Sequence, residues 1–378
     1  MSQAFPIYLD CNATTPMEPA VAEAVRRFFE EEFGNEGSRT HAFGARAKEA
    51  VQTARQQVAY LLDAKPEEVV FTSGATESNN LAILGLAHWG RQHGKTHIIS
   101  TRIEHKAVLE PIDHLAKEGF EVDLVAPNKQ GRVEVEKITR ILRPTTMLVS
   151  VMHANNETGV IQPIGELAEA LAHHSAWFHV DAAQTFGKLM PELRHHRIDM
   201  ISASGHKIYG PKGVGVLIVR HRGKHKVPLV PLTFGGGQEH GLRPGTLAVP
   251  LIVGLGKAAE IAGKDHATRE QKCRSFRGKF LQAIAPLQPK IHGEEGQVLP
   301  HTVNASFPGL SAEEAMLRLK EVVAVSNGSA CTSASFQPSH VLKAMHLGKD
   351  EIIGAVRFSW SHITPDLDWN LLVQRLKI

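Results

Sequence analysis

An α/β protein with one large, mostly parallel sheet and a smaller α+β unit is the fold class this 378-residue sequence predicts. Three observations predict it. Short apolar runs alternate with helical windows from residue 69 to residue 219, which is the pattern of strand–helix–strand units. Those runs are apolar at consecutive rather than alternate positions, as strands covered on both faces are. Beyond Val249 the texture changes to long helices followed by scattered short strands, which marks a second unit.

Taken in order, Pro19–Glu32 spaces Val21, Val25, Phe28 and Phe29 along one helical face, and Ala45–Leu62 does the same before Pro66. Val69–Thr72 is a β-rich run, and after Gly74 a helix is expected from Thr76. Further strands are expected at His97–Ser100, Glu121–Val125, Met147–Met152, Trp177–Val180, Met200–Ser202 and Val214–Val219. Val108–Glu118 and Ile164–His173 read as helices between them. Leu251–Ala262 and Thr268–Leu287 read as two long helices, and Asn304–Phe307, Ala324–Ser326 and Val356–Ser359 as strands of the smaller unit. The division falls near residues 250–262. It gives a large unit over 15–255 and a smaller one over 256–378, onto which the arm 1–14 is expected to pack.

The bulk numbers exclude several classes. Hydrophobic residues make up 42% and charged residues 21%, enough for a sizeable core, so extended disorder is not expected. The net charge of +3, with 22 histidines counted neutral, is too small to predict direct nucleic-acid binding. The basic run Arg220, His221, Arg222, Lys224, His225, Lys226 reads as a solvated loop between strands rather than a binding patch, as does Arg194–Arg197. Cys11, Cys273 and Cys331 are too few and too far apart for a disulfide framework, which points to a reducing compartment. Met1–Asp10 lacks a basic, apolar leader, and no apolar run reaches the ~20 residues of a membrane span. A cytoplasmic protein is expected.

Five polar clusters follow expected strands, where α/β sheets bind their ligands. They are Ser73–Thr76, Glu104–Lys106, His153–Gly159, Asp181–Gln184 and Ser204–Lys207. Each has a plain structural reading beside a functional one. Gly74-Ala75-Thr76 opens a helix whose free N–H groups hold either a phosphate or a cap from Ser73 or Thr76. Asp181 is a cofactor's charge partner, an N-cap or a metal ligand. His105 stacks on a ring or makes a structural hydrogen bond. Asn155 reads as a turn residue.

Lys207 is sharper, because it stands between a strand and the turn Gly210-Pro211-Lys212-Gly213. A desolvated amine there is suited to a Schiff base with an aldehyde cofactor. Pyridoxal 5′-phosphate requires such a lysine, an acid for its ring nitrogen and a phosphate site. Lys207, Asp181 and the Gly74–Thr76 turn provide all three, with Ser204 and His206 available for phosphate or ring-oxygen contacts. Cys331 lies in Ser326–Ser335, among small and hydroxylated residues with no apolar period. That predicts an exposed, mobile loop and a nucleophilic thiol, a stronger claim than those of Cys11 or Cys273.

The segments YLDCNATTP, FTSGATESNNLAI, EHKAVL, VMHANNETG, HVDAAQTFGK, SGHKIYGPKG, LRPGTLAV, SNGSACTSAS and VRFSW resemble, in the same order from residue 8 to residue 360, the cysteine desulfurases of the NifS/IscS type. Those enzymes share the class V aminotransferase fold. The resemblance implies the fold-type I architecture of PLP-dependent transferases, with a mostly parallel seven-stranded sheet. It implies that Lys207 forms the Schiff base, that His105 stacks on the ring and shuttles protons, and that Asp181 holds the ring nitrogen protonated. Gln184 is implied to contact the ring hydroxyl, and Ala75, Thr76, Ser204 and His206 to bind phosphate. Thr246 is implied to reach the phosphate of the other subunit of a homodimer. Asn156 and Arg357 are implied to hold the carboxylate of L-cysteine, and Cys331 to take its sulfur for delivery to an acceptor protein. No metal is implied.

The pattern departs from the family at Glu36 and Gly37, where a proline-containing version is usual, and at Pro244, where a serine is usual. Ile378 follows Leu371–Leu376 closely, without the tail to which iron–sulfur scaffolds dock in housekeeping members. FGNEGSRTH and this short tail resemble the desulfurases of DNA phosphorothioation; iron–sulfur and thio-tRNA pathways are the other destinations for the sulfur. A selenocysteine lyase or aminotransferase on the same fold is a rival reading, and an aminotransferase would not need Cys331. A non-catalytic sulfur-carrying protein is a second rival, which intact Lys207, Asp181 and His105 oppose.

Overall fold

The computed structural model describes residues 5–327 and 338–377. After a short strand β1 (Ile7–Tyr8) come α1 (Pro19–Glu30) and α2 (Ala42–Leu61). Pro19 sits in the first turn of α1, where its missing N–H costs nothing, and Val21, Val25 and Phe28 face inward. The His41 ring caps α2 by accepting from the Gly44 N–H.

The chain then alternates: β2 (Val69–Thr72), α3 (Ala75–Gln92), β3 (His97–Thr101), α4 (Lys106–Lys117), β4 (Glu121–Val125), α5 (Val135–Thr139), β5 (Thr146–Met152), α6 (Ile164–Ala170), β6 (Trp177–Asp181), β7 (Met200–Ser204) and β8 (Gly215–Val219). These seven strands form one sheet in the order β2-β8-β7-β6-β5-β3-β4. Pairing is parallel from β4 to β7, and β8 runs against both of its neighbours. Every residue of β5, β6, β7 and β8 is buried, which is why these strands read as unbroken apolar runs. At the sheet edge, only Val125 of β4 is buried, and Glu121 and Asp123 pair with Arg143. Winding reverses between β3 and β5, so the loops leaving these two strands diverge and open a crevice at their carboxyl ends.

A hairpin, β9 (His221–Arg222) and β10 (His225–Lys226), leads to α7 (Val249–Ile284). Next come β11 (Lys290–His292), β12 (Thr302–Ser306), α8 (Ala312–Leu319), β13 (Val323–Ala324), α9 (His340–Ala344), α10 (Lys349–Gly354), β14 (Ala355–Ser359) and α11 (Trp369–Leu376). Strands β11, β12 and β14 form an antiparallel sheet. The N-terminal arm joins this region: β1 pairs in parallel with β13, Asp10 bridges to Ser359, and Leu9 enters a core with Phe280, Phe358 and Trp360.

Two expectations need correction. The helices predicted at 251–262 and 268–287 are one 36-residue helix, α7, followed by a short 3-10 turn. The polar stretch between them, with Lys264 paired to Glu260, contains no proline and simply faces solvent. Its first half packs with the large sheet's core through Ile252, Leu255 and Ala259, and its second half with the other core through Phe276 and Phe280. Gly256 lets α7 approach α2, because a side-chain carbon there would lie 2.5 Å from Ala54 Cα. The basic run is not a solvated loop throughout. Arg220 is buried and donates to the carbonyls of Leu62, Leu193 and His195. Arg222 pairs with Asp199 at 2.6 Å and lies over the Trp177 ring, and Arg197 shares that carboxylate.

His179 spans the sheet interior between the hydroxyls of Ser150 and Ser202, at 2.8 and 2.9 Å. Burial pushes its pKa down to about 3. The unfolded imidazole takes up a proton near pH ~6.5 and the folded one does not, so stability falls as pH drops below about 6.5. The expected slope from this group is at most about 1.4 kcal/mol per pH unit down to about pH 3. Denaturant unfolding of wild type and His179→Asn at pH 7, 6 and 5 checks this. The variant should lose less stability on acidification, and equal slopes would contradict the assignment.

Candidate active site

The crevice at the carboxyl edge of the sheet is a cavity of about 600 Å³. Ala75, Thr76, His105, Asn156, Asp181, Gln184, Ser204, His206, Lys207 and Arg357 all line it. Thr246 does not line it and is exposed, and Cys331 lies outside the described residues. Residues given no role of their own in the sequence reading line it too, among them Asn12, Ala13, Thr14 and Asn79.

Helix α3 starts at the cavity without a side-chain cap: Gly74 is its N-cap residue, and neither Ser73 nor Thr76 caps it. The unmet N–H groups and the positive end of an 18-residue helix therefore face the cavity floor. The neighbouring backbone closes tightly, since a side-chain carbon on Gly215 would lie 2.5 Å from Gly74 Cα. Ser204 Oγ is on the same side, 3.8 Å from where a Gly74 side-chain carbon would be. His206 accompanies it, and burial, then the adjacent Lys207, push its pKa down to about 4. His206 is thus neutral near pH 7, with Nδ1 3.2 Å from the Thr14 hydroxyl.

Asp181 ends β6 and is buried. Its Oδ2 accepts from Asn79 Nδ2 at 2.8 Å, and its Oδ1 from the Ala183 N–H at 2.9 Å. Asp181 thus holds the turn that follows β6 and is itself held by Asn79. Among the described residues, no group of three or more His, Cys, Asp or Glu side chains is placed to hold a metal ion. Gln184 donates to the Asn12 carbonyl at 3.0 Å, while its buried Oε1 has no hydrogen-bond partner among the described residues.

Lys207 lies in a 3-10 turn after β7, half-buried. Its ammonium donates to the Ala13 carbonyl at 2.9 Å and to the Asn12 carbonyl. His105 caps α4, its Nδ1 accepting from the Ala107 N–H at 3.1 Å, so the proton of the neutral ring resides on Nε2. Beside it Glu104 is fully buried, and burial pushes its carboxyl up to about 8. Arg357, on β14, donates to the Asn156 carbonyl at 3.0 Å and to Asp10 at 2.6 Å. Its buried Nε has no partner among the described residues. Cys11 and Cys273 are buried, and burial pushes their thiols up to about 12 and about 11, unfit for nucleophilic work at neutral pH. Asn155 is a turn residue, its Oδ1 accepting from the Glu157 and Thr158 N–H groups.

A lysine, a buried carboxylate and an uncapped helix end meet in one cavity at the carboxyl edge of a mostly parallel seven-stranded sheet, and the sheet is that of the fold-type I class. The aminotransferase class-V family model matches residues 7–368. The chain is 43% identical to cysteine desulfurase IscS of Vibrio campbellii over 376 residues, 99% of this chain and 92% of that protein. It is 45% identical to IscS of Anaeromyxobacter dehalogenans, covering 96% and 89%. Among solved structures, a NifS-like protein superposes with a TM-score of 0.91 at 35% identity, over 98% of both chains. DndA from Streptomyces lividans superposes at 0.83 with 49% identity, over 94% of this chain and 99% of that one. SspA in complex with cysteine superposes at 0.83 with 39% identity, over 93% and 98%. The chain belongs to the class-V aminotransferase family, on its NifS/IscS-like cysteine desulfurase branch. No helix among the described residues is long and apolar enough to cross a membrane.

Proposed function

We propose that this chain is a cysteine desulfurase that converts L-cysteine to L-alanine and collects the sulfur as a persulfide on Cys331. The observation that carries this reading is the meeting of Lys207, Asp181, His105 and Arg357 in one cavity. The residues fit pyridoxal 5′-phosphate: the uncapped α3 end with Ala75, Thr76, Ser204 and His206 suits the phosphate, and the orphaned Gln184 Oε1 suits the ring hydroxyl. When bound, that cofactor supplies an aldehyde for amines and a ring that withdraws electrons from the α-carbon.

The chain's own groups do the rest. Asp181, fixed by Asn79 and Ala183, offers negative charge to a protonated ring nitrogen. His105 would stack on the ring and, with its Nδ1 accepting from the Ala107 N–H, present Nε2 for proton transfer. Arg357 and Asn156 hold the substrate carboxylate, for which Arg357 keeps donors beyond those given to Asp10. Lys207 removes the α-proton, and the Asn12 and Ala13 carbonyls hold the resulting ammonium in place. The Cys331 thiolate attacks the substrate sulfur. The bond from sulfur to Cβ breaks and its electron pair stays with the carbon skeleton; Cβ takes up one proton, Cα regains one in place of that removed by Lys207, and the product leaves as alanine. Thr246, exposed in one protomer, reaches the phosphate of the second protomer of a homodimer. The sulfur passes to an acceptor protein. The likeness to DndA supports a DNA-phosphorothioation partner over an iron–sulfur scaffold.

Cys331→Ser tests the division of labour. The variant should stay yellow and keep its cysteine-dependent absorbance change, while forming no persulfide by mass spectrometry and almost no alanine. Persulfide on Cys11 or Cys273, or alanine at the wild-type rate, would refute the assignment.

A further inference from the structure

We infer that Glu157 is a positioning residue for sulfur transfer, holding one root of the Cys331-bearing segment against the substrate end of the cavity. The inference rests on the desulfurase reading above. The Ser339 hydroxyl donates to Glu157 Oε2 at 2.5 Å, with both residues buried. The same hydroxyl oxygen accepts from the Leu342 N–H at 3.1 Å, so it ties the start of α9 to Glu157. Next along the chain, His340 Nε2 lies 2.9 Å from the Glu104 carbonyl. Ser339 and His340 are thus joined to the residues flanking Asn156 and His105, the two loops that diverge at the winding reversal.

A second cavity, of about 950 Å³, adjoins the first and shares His105 and Asn156 with it. Glu157, Ser339 and His340 lie on its wall. The other root is tied to the same place. Ser326 Oγ donates to Asp10 Oδ1 at 3.0 Å, and the Arg357 N–H donates to the Ser326 carbonyl at 2.7 Å. One attachment therefore ends beside Asn156, and the other on Arg357 and its partner Asp10. Cys331 is five residues after Ser326 and eight before Ser339.

Packing alone does not account for Glu157. Burial pushes its carboxyl pKa up, against the Ser339 hydroxyl and the nearby charges of His340, Arg357 and His105. An apolar side chain would fill the place with less desolvation. Attachment of Ser339 gives the carboxyl a purpose that an apolar group cannot serve.

The test uses full-length, cofactor-loaded Glu157→Ala, Ser339→Ala and Glu157→Gln. Two quantities are read: the cysteine-dependent absorbance change with its half-saturating cysteine concentration, and the single-turnover rate of persulfide formation on Cys331. Glu157→Ala and Ser339→Ala should keep the first within threefold of wild type and slow the second at least tenfold. Glu157→Gln, whose amide oxygen can accept the same hydroxyl, should recover the persulfide rate to within threefold. Unchanged persulfide rates in both alanine variants would overturn the inference. So would losses shared equally by the absorbance step, which mark a plain folding role. Wild type that forms no persulfide on Cys331 overturns the desulfurase reading itself, and the inference with it.

Discussion

Lys207→Ala is expected to lower kcat/KM for L-cysteine at least about 10⁴-fold. A positioned general base contributes about 10²–10⁴ by itself, and on the proposed reading this substitution also removes the amine that would bind the cofactor covalently. The geometry sharpens the expectation. The Lys207 amine sits where two backbone carbonyls, those of Asn12 and Ala13, accept from it. Among the described residues no other lysine is so placed: Lys212 lines the cavity but is exposed, and Lys188 is set apart beside His301. Alanine production from cysteine, followed with a coupled dehydrogenase, gives the measurement. A rate within tenfold of wild type would remove Lys207 from the chemistry.

Asp181→Asn is expected to cut kcat about 10²–10³-fold, the range seen when one preorganised electrostatic group is removed from a reacting site. Two effects combine. The amide cannot offer the negative charge a protonated ring nitrogen requires. It also meets two donors, the Asn79 amide and the Ala183 N–H, with only one acceptor of its own. One of those donors loses its partner, or the side chain rotates away. Steady-state kinetics beside the visible spectrum separates the outcomes: the protein should remain coloured while kcat collapses. Unchanged kcat would contradict the charge-partner role.

Much of this site could be read from the chain because it lies at strand ends. Five polar clusters after five buried strands had one physical explanation, a shared crevice, and all five contribute residues to it. The contributions of Asn12 and Ala13 were not legible, since they act through backbone carbonyls, which no side-chain pattern advertises. Asn79 was hidden for another reason. It sits on α3 in an ordinary helical position, and its link to Asp181 crosses 102 residues. Ser339 and Glu157 are joined across 182 residues by one hydroxyl. In the fold, the sheet was legible through its apolar runs, whereas α7 was divided because a solvent-facing polar stretch imitates a loop. Arg220 and Arg222 looked like free surface charge for a similar reason. Their partners are carbonyls and one distant carboxylate.

The N-terminal arm sets a timetable for assembly. Cys11 and Asn12 hydrogen-bond to Ser359, the latter contact spanning 347 residues. At synthesis rates of about 5–20 residues per second, Ser359 follows Asn12 out of the ribosome after roughly 20–70 s. The seven-stranded sheet needs nothing beyond Val219, so its strands are all made well before that moment. The arm that receives the Lys207 ammonium has no β14 to lie against until then. A nascent chain therefore owns the sheet, and with it Asp181 and the start of α3, before the wall that completes the cavity exists. That wall closes only once β14 has been made.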